Sequence, residues 1–216
     1  MNRIWTAALL LAATATAAAA ADYPKTKFLA VQVTSGTADL ATDFPNPITG
    51  PSGFAPAYDH SEWGGRLEYW NMMGPEYAFN LSAGIGTFSE EDKPGTAAAG
   101  AGTFKYTQSS WNIRIGGDRM LLVGDKSYIF FGPGIEWWSG KAKFEVPGSS
   151  YESENVSRIS LGARVGGHMM VGPTWGLTAN VGTKIGRASY EEGGAKTTWW
   201  PSSMEGGVGL VFKFGG

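Results

Sequence analysis

"RISLGARVGGHMMVGPTWGLTANVGTKI", Arg158 to Ile185, decides the fold, because it alternates large apolar residues with small or charged ones on both sides of a Gly-Pro break. Before the break, Ile159, Leu161, Ala163, Val165, Met169 and Val171 share one parity; Arg158, Ser160, Gly162, Arg164, Gly166 and His168 share the other. After it, Trp175, Leu177, Ala179, Val181 and Ile185 stand against Gly176, Thr178, Asn180, Gly182 and Lys184. A period of two belongs to strands with two different faces, not to a helix. The stretch predicts two strands joined by a tight turn.

The same arrangement recurs. "MMGPEYAFNL" (Met72–Leu81) and "LLVGDKSYIF" (Leu121–Phe130) again place apolar residues, a short turn and an early aromatic in that order. Between these tight turns lie longer connections near Ala41–Ser61, Glu90–Gly102, Pro147–Asn155 and Glu191–Thr197. Short and long connections alternate, as in an up-and-down meander with two different ends, and eight strands result.

Which face points outward then matters most. The last segment, "GGVGLVFKF", sets Val208, Leu210, Phe212 and Phe214 against Gly207, Gly209, Val211 and Lys213. A soluble barrel would keep its apolar face inside and clothe the other densely with Lys and Glu. Here the other face is mostly glycine, serine, threonine and asparagine with isolated charges, which suits a cramped barrel interior. The expected fold is all-β: an eight-stranded antiparallel up-and-down transmembrane β-barrel whose large apolar residues face lipid.

Composition agrees. The 216 residues include 32 Gly, are 13% aromatic and only 17% charged, where about 25% charged is typical of soluble domains. Arg3, the apolar run from Ile4 to Leu11 and the alanine run ending at Ala21 read as a secretory signal peptide over 1–21, cleaved near Ala21, with the barrel over 22–216. There is no cysteine, so disulfides and a lipid-bearing thiol are excluded. Without Arg3, 16 basic residues face 19 acidic ones, and nucleic acid is not an expected partner.

The chain resembles the small eight-stranded outer-membrane β-barrels of Gram-negative bacteria, the OmpX-like and OmpA transmembrane-domain class. Beside the architecture, the specific likeness is "GLVFKF": Gly209, Phe212 and Phe214 resemble the family's C-terminal assembly signal, although Gly215 and Gly216 follow the closing aromatic. The resemblance implies residence in the outer membrane as a monomer, with its lipid, lipopolysaccharide and the barrel assembly machinery as partners, and no cofactor.

Four aromatics next to the tight-turn end, Tyr77, Tyr128, Trp175 and Phe214, are expected to form a girdle at one membrane interface. Inward charges fall at similar heights: Arg66, Glu68, Arg114, Glu136, Arg164, Lys184 and Glu205 should form a mixed layer across the lumen, with Arg114 and Glu136 paired. Such a layer is either a gate for a narrow channel or a structural plug, and mutually satisfied charges favour the plug. "YDHSEW" (Tyr58–Trp63) places a His and a Ser near a rim, where lipid A acyl-modifying barrels carry such a pair. Adjacent His60 and Ser61 point to opposite faces of a strand, so nucleophile and base do not meet. No catalytic group and no metal site is expected. The reading is a non-enzymatic barrel with a structural or surface-interaction role; the alternatives are a narrow channel and a lipid A acyl-modifying enzyme.

Overall fold

A computed structural model describes residues 26–35, 58–92, 105–146, 148–152, 155–192 and 195–215. The expected signal peptide and its cleavage site at Ala21 lie outside the described residues. The strands are β1 (Lys27–Ser35), β2 (Tyr58–Met72), β3 (Tyr77–Asp92), β4 (Lys105–Val123), β5 (Ser127–Val146), β6 (Ser149–Glu152), β7 (Val156–Met170), β8 (Trp175–Glu192), β9 (Ala195–Trp199) and β10 (Ser202–Phe214).

Eight of these strands close a barrel in the order β1-β2-β3-β4-β5-β7-β8-β10, each antiparallel to its neighbours, and β10 pairs with β1 to seal it. The tight turns at residues 73–76, 124–126 and 171–174 lie at one end, together with Lys27 and Phe214, which face each other across the seam. The turn from β4 to β5 needs Gly124, whose φ of 63° lies in the left-handed region.

The expected long connections are shorter than the composition suggests. Tyr58–Ser61, Glu90–Asp92 and Glu191–Glu192 continue wall strands, while β6 and β9 fold back on the far ends of β5 and β8. The reason lies in the signal: "SSYE" and "AKTTW" carry no apolar alternation.

Burial alternates along the wall. Leu161 (60% exposed), Ile185 (57%) and Val208 (62%) face out, whereas Arg158, Arg164, His168 and Lys184 on neighbouring positions are buried. The interior is not only glycine and charge, however. Towards the turn end, Phe28, Trp70, Met120, Phe130, Met170 and Val211 form a buried apolar cluster inside the barrel. These residues sit on the inward parity close to the tight turns or the seam.

Glycine sets how closely the wall packs at the seam. A Cβ on Gly209 would overlap the Val31 carbonyl oxygen and come 2.7 Å from Gln32 Cα, both on β1. The obstacle is backbone, which has no rotamer to give. Gly209→Val is therefore expected to cost about 3 kcal/mol, the upper end of ordinary overpacking. Urea titration of detergent-refolded protein measures this, and a midpoint equal to that of the unsubstituted chain would contradict the seam packing.

Candidate functional site: the lumen charge layer

Above the apolar cluster the barrel interior becomes ionic. Arg164 on β7 reaches two carboxylates: Nη2 lies 2.6 Å from Asp118 Oδ2 on β4, and Nη1 pairs with Glu68 Oε1 on β2. Its guanidinium carbon also stands 5.3 Å from the Trp70 ring centre and 5.2 Å from that of Phe130. Trp70 Nε1 donates to Asp118 Oδ2 at 2.8 Å, and Gln32 Nε2 donates to Glu68 Oε2 at 3.1 Å. Asn180 Nδ2 in turn donates to Gln32 Oε1 at 2.9 Å. One arginine thus ties β7, β2 and β4 together while resting on the aromatic floor.

A second set lies beside it. Lys184 Nζ on β8 donates to Glu136 Oε1 at 2.7 Å and to Glu205 Oε2 at 2.9 Å. Arg158 Nη2 approaches Glu136 Oε1 at 3.4 Å, and Arg66 Nη2 stands 3.0 Å from Glu205 Oε2. All of these side chains are nearly inaccessible to solvent. Ions so far from bulk water are tolerable only when each has a close opposite charge or hydrogen-bond partner.

Of the seven charges expected in the layer, Arg66, Glu68, Glu136, Arg164, Lys184 and Glu205 are joined by ion pairs. Arg114 and Glu136 do stand opposite each other in the β4–β5 register, but their side chains do not pair. Arg114 Nη1 donates to Asn80 Oδ1 on β3 at 2.7 Å, and Glu136 turns to Lys184 and Arg158. Register puts two residues level; it does not decide which of several neighbours a long side chain chooses. Two members were missed, Asp118 and Arg158. Asp118 shares the parity of Arg114 on β4 but lies four residues nearer the tight turn.

The aromatic ring needs one correction. Tyr77, Trp175 and Phe214 face outward. Tyr128 points into the barrel: its ring is 5.1 Å from Phe28, and Lys213 Nζ lies 3.3 Å from its hydroxyl. The parity of β5 explains this, since Ile129 and Phe131 hold the outward positions there. A further outward set, Trp63, Trp111 and Trp137, stands farther from the turns, with the Trp111 and Trp137 rings 5.1 Å apart. Of the C-terminal signal, Gly209 lies at the seam while Phe212 and Phe214 face out.

His168 packs among Phe28, Trp70 and Phe130, with ring centres at 5.1, 4.7 and 4.9 Å, and its Nδ1 is 3.0 Å from Thr178 Oγ1. It belongs to the floor. At the rim, His60 and Ser61 occupy successive β2 positions opposite Glu90 and Ser89. No group of three potential metal ligands occurs among the described residues. On the outer hairpin, Lys143 Nζ donates to Glu145 Oε1 at 2.5 Å, which holds that carboxyl below its usual range. Both groups are exposed, and such pairs contribute little stability.

The pairings make a distinct energetic expectation. Coupling between Glu136 and Lys184, measured by a double-mutant cycle of unfolding free energies, should be on the order of 1 to 3 kcal/mol, and coupling between Glu136 and Arg114 clearly smaller. Glu68→Ala, which leaves Arg164 with one carboxylate fewer, should cost about 3 to 5 kcal/mol. The reverse order of couplings would contradict the observed partners.

No family model matches the chain, and no curated protein sequence does. Similar folds occur among solved structures. Ail, the attachment invasion locus protein of Yersinia pestis, is 12% identical, with 89% of this chain and 100% of that chain covered and a TM-score of 0.46. The outer membrane protein OprG from Pseudomonas aeruginosa is 11% identical, with 88% and 96% covered and a TM-score of 0.47. Neisserial surface protein A is 12% identical, with 87% and 97% covered and a TM-score of 0.40. The likeness is one of fold.

Proposed function

We propose that this protein is an integral outer-membrane β-barrel with a structural or surface-interaction role and a plugged polar lumen. The observation that carries the reading is the inverted polarity of the wall: buried ion pairs inside, and exposed Val, Ile, Leu, Phe and Trp outside. On β7 the outward apolar positions run from Ile159 to Met169, which matches the roughly 9 to 11 residues a tilted strand needs to cross hydrocarbon. Trp63, Trp111 and Trp137 on one side and Tyr77, Trp175 and Phe214 on the other bracket that belt, as aromatic side chains do at the two membrane interfaces.

The plug follows from the layers inside. Phe28, Trp70 and Phe130 have no accessible surface, and Arg164, paired with its two carboxylates, lies against Trp70 and Phe130. Opening a path for ions would separate buried pairs and expose that floor, both costly steps. The reading therefore gives the lumen a structural role and leaves interaction to the long-connection end, towards lipopolysaccharide and extracellular molecules. The outward aromatics of Gly209–Phe214 are what the assembly machinery would meet.

Three experiments test this. Cysteines at Gly95 and Gly193, which lie outside the described residues, are expected to react with an impermeant thiol reagent on whole cells, and one at Asp125 is not; labelling at Asp125 alone would reverse the orientation. In planar bilayers the protein should be silent, and steady single-channel steps would overturn the plug. Across the wall, Leu161→Arg should cost about 2 to 4 kcal/mol in lipid-refolded protein, whereas an unchanged unfolding midpoint would mean that this face does not meet hydrocarbon.

A further inference from the structure

One part of the outward wall is hollow. Gly167 on β7 and Ala179 on β8 stand opposite each other in the register and share the outward parity of Val165, Met169, Leu177 and Val181, so two neighbouring staves lack a large side chain at the same place. Around them lies an open trough of about 690 Å³, almost wholly apolar, bordered by Ile129, Met169, Leu177, Val208 and Leu210. The barrel does not need this hollow for its own packing, since a Cβ on Gly167 would meet only the Tyr128 carbonyl oxygen, at 3.1 Å. It is open to whatever surrounds the wall.

The trough is inclined. Followed from stave to stave, paired positions climb away from the tight turns: the row that begins at Val33 reaches Ser189 on β8 by way of β2 to β7, but Ala179, ten residues nearer the turn end, by way of β10. The row Ile129, Gly167, Ala179, Val208 therefore rises across the wall. It ends at the level of the charge layer, because a Cβ on Gly207, beside Val208, would come 2.7 Å from Gln32 Oε1. At the low end Ser127 borders the trough, directly after the exposed Asp125 and Lys126 of the turn. Neither of those two side chains is hydrogen-bonded or ion-paired to a described residue. Trp175, one outward position below Leu177, lies at the interface end of the belt.

We infer that this trough holds one acyl chain of a phospholipid from the leaflet on the tight-turn side, with the lipid's phosphate at Lys126 and its headgroup ammonium at Asp125. The inference rests on the reading of the outward wall as lipid-facing. An apolar trough that starts beside two unpaired opposite charges and rises only to the level of the charge layer follows the outline of a lipid in one leaflet. A chain lying in it gains contacts with both small residues and the side chains around them, which a flat wall does not offer. A headgroup with both charges, as in phosphatidylethanolamine, suits both turn residues, whereas a purely anionic one meets Lys126 and is repelled by Asp125.

The test is native mass spectrometry of protein refolded in a nonionic detergent and titrated with dioleoyl phosphatidylethanolamine. One lipid per chain should be retained, about threefold more strongly than phosphatidylglycerol or the headgroup-free dioleoylglycerol, as for one exposed charge contact. Ala179→Leu fills the trough from an exposed position and should weaken retention by about tenfold or more. Ala83→Leu, an equally exposed outward change on β3, should leave it unchanged. Replacing Asp125 and Lys126 together by Ala should bring phosphatidylethanolamine down to the level of dioleoylglycerol. Equal retention in Ala179→Leu and Ala83→Leu would overturn the inference, as would equal retention of dioleoylglycerol by the unsubstituted chain. A protein dimer in place of the lipid adduct, lost in Ala179→Leu, would give the trough to a second copy of the chain. Each sample is also run on a gel with and without boiling: a protein that shifts on boiling but retains no lipid defeats this inference alone, whereas one that does not shift defeats the lipid-facing wall and the inference with it.

Discussion

The rest of the interior depends on Arg164, held between Glu68 and Asp118 above the faces of Trp70 and Phe130. Its charge is kept out of water, so it must be neutralised locally, and the two carboxylates that neutralise it come from different staves of the wall. The aromatic rings beneath supply a second attraction through their π faces. Trp70 adds a hydrogen bond to the carboxylate that Arg164 holds, so floor and ion pair position one another. The Lys184 cluster repeats the device on the other side, sharing one ammonium between Glu136 and Glu205.

Those long side chains fit because the wall around them is cut back to hydrogen. Gly132 shows the requirement: a Cβ there would overlap the Gly117 carbonyl oxygen and lie 2.7 Å from Asp118 Oδ1. The next residue is Pro133, which has no N–H to donate, and the β4–β5 pairing is interrupted opposite it. Small residues at that point leave room for the carboxylate that Arg164 uses. The abundance of glycine in the sequence is thus tied to the charge layer through packing as well as through turns.

Much of the wall was legible in the sequence, for a physical reason: strand parity and turn chemistry are local. Arg158 to Ile185 alone fixes two staves and their faces, and the tight turns after Met72, Val123 and Met170 fall where the repeat puts them. The outer hairpins β6 and β9 were not legible because "SSYE" and "AKTTW" carry no apolar alternation. Inside the barrel, parity says only that a residue points inward. Arg114 and Glu136 are level and yet choose other partners, because lengths, competing charges and neighbours such as Asn80 enter together. Tyr128 shows the same limit on position: closeness to a turn did not decide its face, whereas the alternation of Ile129 and Phe131 did.

An inverted barrel closed through its first and last strands should survive sodium dodecyl sulfate until it is heated. The most direct measurement is electrophoretic mobility of lipid-refolded protein with and without boiling, since the closed form stays compact while the boiled chain is extended. Two distinct positions are expected, converging after boiling. Identical migration before and after boiling, from a preparation shown to be rich in strand, would contradict a barrel whose apolar face meets lipid.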